Sequence, residues 1–188
     1  MARLKVPVTP RDHIRGPADA AITLVEYGDY ECPHCGAIDA IVKAVQQHFA
    51  RELRFVFRHF PLKEVHPNAQ AAAESAEFAG AHGRFWEMHD GFYENSERFG
   101  PSLPFELAQA LDLPEAELRK ALEIGEYAAK VRADFRGGVR SGVNGTPTFY
   151  INDRRHDGSF GFDDLVAAIE AQLRPQPARR SLWRFWRT

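Results

Sequence analysis

Hydrophobic positions along this chain follow two rhythms, and the first switch between them comes early. Residues 20–27 (AAITLVEY) form a nearly unbroken apolar run that stops at Gly28-Asp29, the pattern of a central strand covered on both faces. Only Glu26 interrupts it with a charge. From Pro33 the period lengthens, and Ile38, Ile41, Val42, Val45 and Phe49 fall on one face of a helix whose first position suits proline. Residues 53–60 (LRFVFRHF) return to alternation with many aromatics, which predicts a second strand. Strand, helix and strand in this order make a βαβ unit with a right-handed crossover. The fold class that follows is α/β.

Between residues 66 and 143 the pattern turns alanine-rich and charged, with helical periods broken at Gly83, at Gly100-Pro101 and near Pro114. That predicts a block of three to five helices. The alanine stripe of NAQAAAESAEFAGAH is a general helix-forming signal. Strand character resumes at residues 147–152 (PTFYIN), Asn152-Asp153 starts a turn, residues 154–159 can return as a hairpin partner, and residues 162–173 have helical spacing. The organisation read from this is an N-terminal arm (1–15), a domain assembled from 16–64 and 144–174, an inserted helical subdomain (65–143) and a basic, aromatic tail (175–188). The tail reads either as a loosely tied end or, through its tryptophans and arginines, as a segment that docks on a partner or a membrane surface.

Composition narrows the function classes a little. The 188 residues are 44% hydrophobic and 27% charged with a net charge of −2, which gives no global field to steer the chain toward nucleic acid. The segment MARLKVPVTPRDHIRGP has charges and prolines where a secretory signal has an apolar core. The expectation is a cytoplasmic protein as written, or an exported one if a signal has been removed. No apolar run reaches the length of a membrane span.

The two cysteines change the picture, because Cys32 and Cys35 stand three positions apart at the start of the predicted helix. A bridge between them closes too small a loop to stabilise much through chain entropy, so its value must be chemical. Unpaired N–H groups at a helix start carry partial positive charge that favours an anion. Cys32, just before the helix, is therefore the expected low-pKa nucleophile, and Cys35, within the first turn, the thiol that resolves a mixed disulfide. Pro33 opens the helix between them, and His34 can add positive charge and a donor. No cofactor is implied beyond the redox-active Cys32–Cys35 disulfide itself. Zinc would need distant ligands to complete a tetrahedron. His59, His66, His82 and His89 show no convergence of that kind: His66 before Pro67 reads as a helix entry, and His82 and His89 as helix ends or faces in polar settings.

Two further features sit near this pair in the reading. Glu26, six residues before Cys32, is either a strand-end residue reaching solvent near Gly28 or a buried carboxyl of raised pKa that takes and returns the Cys35 proton. Its position relative to the cysteines favours the second. Gly145-Thr146-Pro147-Thr148 directly precedes the later strand. X–Pro bonds in folded proteins are cis in only about 5% of cases, so an ordinary trans turn is the default; a cis bond would free Thr146 backbone groups to pair with an extended substrate.

With Glu26, the Cys32-Pro33-His34-Cys35 box, a helical insertion and Gly145-Thr146-Pro147 in this order, the chain resembles the DsbA-like branch of the thioredoxin superfamily over about residues 10–174. Phe57-Arg58-His59-Phe60-Pro61-Leu62, His66-Pro67 and Gly83-Arg84-Phe85-Trp86 are similar to segments that enter and continue that family's insertion. The resemblance implies a thioredoxin fold with an inserted helical subdomain and dithiol/disulfide exchange with protein or peptide thiols and an unidentified redox partner. It makes Cys32 the attacking thiol, Cys35 the buried one, Glu26 the buried acid and Thr146-Pro147 a cis-proline loop facing them. Two departures stand out. The exported members' signal is missing, and Glu31 directly before Cys32 is expected to blunt the thiolate's stability, giving a milder oxidant than the family's type member. The competing readings are a relative of the kappa-class glutathione transferases, against which Cys35 argues, and a thiol-bearing binding or metal-relay module.

Overall fold

The computed structural model describes residues 2–173; the tail expected at 175–188 lies outside the described residues. Five strands form one sheet in the order β1-β3-β2-β4-β5: His13–Arg15 (β1), Ile22–Gly28 (β2), Leu53–His59 (β3), Thr148–Ile151 (β4) and Arg154–Arg155 (β5). β2 and β3 run parallel, as the βαβ pattern requires, with helix α1 (Pro33–Phe49) between them in the chain. The other neighbours are antiparallel. Five helices fill the insertion: α2 (Ala69–Ala81), α3 (Phe85–Glu94), α4 (Leu103–Ala110), α5 (Glu115–Ile124) and α6 (Ala128–Ser141). Helix α7 (Phe162–Leu173) follows the last strand. This is a thioredoxin fold with a helical insertion.

Side chains of a strand alternate between the two faces of its sheet, and β2 is divided accordingly. Ile22 and Leu24 belong to the larger core with Cys35, Val45, Phe149 and Ile169, so Glu26 shares the face that packs on α1. Val25 and Tyr27 belong to a second core with Val56, Phe60 and Tyr150, covered by Leu4 and Val8 of the N-terminal segment and by Phe135 of α6.

Three expectations need correction. Residues 13–15, read as part of a free arm, are an edge strand paired with β3 through Ile14 and Val56. Three half-buried residues are too few to show alternation, and the strand is held from outside itself. The hairpin partner is only Arg154–Arg155, because the stretch to Ser159 is exposed or half-exposed and has no face to bury. His89, expected in a polar setting, is 2% exposed and surrounded by Tyr30, Phe57, Trp86 and Tyr93. There it packs as an aromatic ring, and burial pushes its pKa well below the usual histidine range.

The N-terminal segment is strapped down by one buried cation. Arg58 on β3 donates to Asp12 at 2.7 and 3.1 Å, to the carbonyls of Val6 and Pro7 at 2.9 Å each, and to the Tyr27 hydroxyl at 2.9 Å. Both partners of the Arg58–Asp12 pair are nearly inaccessible, so removing one leaves the other buried and uncompensated. Asp12→Ala is expected to lower stability by about 3 kcal/mol, read as a reduced denaturation midpoint at unchanged slope.

Candidate active site

The site is organised by a turn at the end of β2. The Asp29 carboxylate accepts hydrogen bonds from the Glu31 amide at 2.9 Å, the Leu62 amide at 2.8 Å and His66 Nδ1 at 2.8 Å. Burial nevertheless holds its pKa above the ordinary aspartate value, against the pull of those donors. The turn closes with the Cys32 amide donating to the Asp29 carbonyl at 3.1 Å. Cys32 thereby becomes the N-cap of α1, with extended backbone and Pro33 following at the helix start. The carbonyl of Cys32 accepts the first helical bonds from the Cys35 and Gly36 amides at 3.0 and 3.2 Å.

Cys32 and Cys35 are unbridged, and both are buried. The thiol of Cys32 donates to the carbonyl oxygen of Thr146 at 3.4 Å. Its pKa is lowered to about 4, chiefly by a hydrogen bond from the Cys35 thiol, with help from Thr146 and from the amides of Cys35 and His34. Burial opposes this and loses. Cys35 moves the other way, pushed well above the usual cysteine value by burial first, then by its bond to Cys32 and the charge of Glu26. Glu26 is 4% exposed, and burial followed by the negative charge of Asp39 and Cys32 raises its pKa well above the carboxylate range.

The structure therefore brings Cys32, Cys35, Glu26 and Thr146 together. Thr146-Pro147 lies in the loop between α6 and β4 with its peptide bond cis. The side chains of Pro33 and His34 are exposed, and His34 acts on the Cys32 sulfur through its backbone amide. The Glu31 carboxylate accepts from the Asn68 amide at 2.6 Å and the Asn68 side chain at 2.7 Å, at the start of α2. Asp29 and His66 escaped the sequence reading because their bonds join segments more than thirty residues apart.

Among the described residues, two clusters have the ligand types of a metal site: His59, Glu77 and Asp134, and Asp39, His89 and Asp90. Each already holds a protein ammonium. Lys130 lies 3.4 Å from Glu77 and 2.6 Å from Asp134, and Lys43 lies 2.9 Å from Asp39 and 3.3 Å from Asp90. A divalent ion would have to displace those cations.

The family comparisons agree with this fold. A family model described as thioredoxin matches residues 8–171. The oxidised BdbD structure from Bacillus subtilis superposes with a TM-score of 0.82 at 24% identity, covering 92% of this chain and 98% of that one. Wolbachia pipientis alpha-DsbA1 gives 0.78 at 18% identity, covering 89% and 93%. Among curated proteins, the Na(+)/H(+) antiporter NhaA 1 of Salinispora arenicola is 44% identical over 182 residues, which are 94% of this chain but 28% of that protein. The NhaA 3 antiporter of Salinispora tropica is 42% identical over 182 residues, 94% of this chain and 28% of that protein. The chain thus spans little more than a quarter of the length of these relatives. Among the described residues no helix is long and apolar enough to cross a membrane.

The displaced pKa of Cys32 links redox state to stability. With a folded pKa near 4 against an ordinary value of 9.0, the folded thiol has lost its proton over a range where the unfolded thiol keeps it, so stability rises with pH across that window. The contribution is complete above the unfolded pKa and is lost as pH falls through about 4. The disulfide form has no such proton. The reduced form is expected to gain on the disulfide form by up to about 1.4 kcal/mol per pH unit through that range. Denaturant titrations of both forms at acid and neutral pH check this; parallel pH dependences would contradict it.

Proposed function

Because this chain belongs to the thioredoxin family, we propose that it is a dithiol/disulfide oxidoreductase acting on protein or peptide thiols through Cys32 and Cys35. The observation that carries the reading is the opposite displacement of the two thiols, one pulled down to about 4 and its neighbour pushed up. An exchange enzyme needs one sulfur ready as a nucleophile and a second that stays protonated until its turn.

In the reducing direction, the Cys32 thiolate attacks one sulfur of a substrate disulfide, forming a mixed disulfide and releasing the first substrate thiolate. Cys35 then gives its proton to the Glu26 carboxylate and attacks the Cys32 sulfur. The Cys32–Cys35 disulfide forms, the second substrate thiolate leaves and takes up a proton, and Glu26 returns its own to solvent. Two electrons have passed from the enzyme dithiol to the substrate. The reverse sequence oxidises a substrate dithiol. Stabilising the Cys32 thiolate stabilises the reduced enzyme, which favours this oxidising direction. An oxidant of this kind works in an oxidising compartment, so the exported alternative fits better than the cytoplasmic one. The cis Thr146-Pro147 loop, which receives the Cys32 thiol, is the surface on which we place the extended substrate.

A second, compatible reading concerns the partner. In relatives named antiporters, sequence similar to this chain makes up little more than a quarter of the protein. We infer that the exchange chemistry operates beside a membrane transporter, whose thiols or whose neighbours' thiols are the target.

Insulin reduction by the parent, Cys32→Ser and Cys35→Ser tests the main reading. Cys32→Ser is expected to fall to the uncatalysed background, and Cys35→Ser to accumulate mixed disulfides in place of turnover. Turnover that ignores both substitutions would leave a binding or metal-relay module. Mixed disulfides trapped by Cys35→Ser in native membranes identify the target; capture confined to soluble proteins would overturn the transporter reading.

A further inference from the structure

Among the described residues, five side chains carry a buried polar atom without a hydrogen-bond partner: Glu74, Arg84, Tyr93, Thr146 and Arg155. Three of them engage another partner: Glu74 accepts from Gln70, and Arg84 and Arg155 pair with Glu87 and Asp157. In Tyr93 and Thr146 the hydroxyl is the whole polar group, and both stand at the cysteine site. The Thr146 hydroxyl already has a task, since the Thr146 side chain helps to stabilise the Cys32 thiolate. Tyr93 is not.

Tyr93 comes from α3, in the insertion, and reaches under the sheet end that carries the site. Alternation along β2 puts Gly28 on the same face as Glu26. A Cβ on Gly28 would stand 2.9 Å from the Tyr93 hydroxyl and 2.4 Å from the Phe57 ring. The missing side chain of Gly28 is therefore the space into which the Tyr93 hydroxyl projects, one place along the face from Glu26. The ring of Tyr93 packs 5.2 Å from that of Tyr30 in the same core as Cys35. An unpartnered buried hydroxyl destabilises the fold, whereas phenylalanine would fill the same place without that loss.

We propose that Tyr93 is a positioning residue for the exchange reaction, its hydroxyl donating to whichever of Glu26 and Cys35 carries the negative charge while the proton passes between them. The inference rests on the exchange reading above and extends it into the helical insertion. In the dithiol form the hydroxyl has no hydrogen-bond partner, so it is uncommitted when the charge passes between Glu26 and Cys35. It keeps its own proton throughout, since burial, then the charges of Cys35 and Glu26, push its pKa well above 10.0. The other titratable groups around Cys35 are Cys32 and Asp39 on its own helix, Asp29 and Tyr30 in the turn after β2, and Glu26 on β2 itself. The Asp29 amide already donates to the Cys35 sulfur, and Tyr93 would supply a second donor.

The test is Tyr93→Phe, read in three ways. Thermal stability of the reduced protein should be unchanged or higher, because an unsatisfied hydroxyl has been removed. The resolution step, followed by quenching the mixed disulfide with a peptide substrate, should slow about tenfold at neutral pH, with its pH profile displaced to higher pH. In a Cys32→Ser background, where Cys35 is the remaining thiol, ultraviolet absorbance should show Cys35 ionising about one pH unit higher when Y93F is added. An unaltered Cys35 titration and resolution rate overturn the proposal, whatever happens to stability. A destabilised variant with an unaltered titration assigns Tyr93 to packing alone. The titration needs no turnover, so an inactive parent would sink the exchange reading while still reporting on Tyr93.

Discussion

A sulfur anion at the tip of α1 is the interaction around which the rest of this site is built. Helix-end polarity acts within about the first turn, so the sulfur must sit at the N-cap itself, where Cys32 is. Pro33 has no N–H to offer, and the amides that act on the sulfur are those of His34 and Cys35. The Asp29 turn sets the approach of the chain, and it is pinned by bonds from Leu62 and His66. The loop at Thr146 closes the far side. Three separate segments of the chain, at residues 29–35, 62–66 and 146, therefore meet around one thiolate.

That anion divides the chemistry of its neighbours. Cys35 lies within the first turn of the same helix, yet deeper burial and the adjoining negative charges raise its pKa while Cys32 falls. Glu26 is raised by the same causes. Environments that push paired groups apart suit them to different roles, which in the proposed exchange are nucleophile for Cys32, resolving thiol for Cys35 and proton acceptor for Glu26. Losing the Cys32 thiolate removes both a hydrogen bond and a charge that raise Cys35 but only the smaller of two charge effects on Glu26, so attack on a substrate by Cys32 itself makes the next proton transfer easier.

Local patterns foretold most of the frame and most of the residues that the fold brings together at the site. The α1 face, the two parallel strands and the cysteine spacing are visible in short windows because each is a local periodicity or a fixed offset. The alternation that buries Leu24 also buries Glu26, and the sequence alone raised that possibility. What stayed hidden depends on contacts between distant segments. The edge strand β1 has three residues and is held by Asp12 and Arg58 across the sheet. Glu31, alarming beside Cys32 in the sequence, is bonded to Asn68. The hydroxyl of Tyr93 carries no sequence signal at all; the nearest thing to one is a glycine at the even-numbered position of β2 where a side chain would block it.

The distribution of compensated charge argues that this vacancy of partners belongs to the site. Elsewhere the molecule is generous: Arg58 has Asp12 and two carbonyls, and Glu77 receives His13 and His59 with Lys130 close by, which drives its carboxyl far below the ordinary range. A fold able to do that for deeply placed charges has the means to satisfy a single phenol. Leaving it open beside Glu26 and Cys35 stores a donor where negative charge shifts from one group to the other during reaction, and a dipole fixed in advance needs no reorganisation when it does. The cost is borne in the resting dithiol, the state that must be left for chemistry to begin. Burial around Cys35 thus has two consequences with one origin: it keeps the second sulfur protonated until it is needed, and it makes any donor waiting beside it more effective than the same donor would be in water.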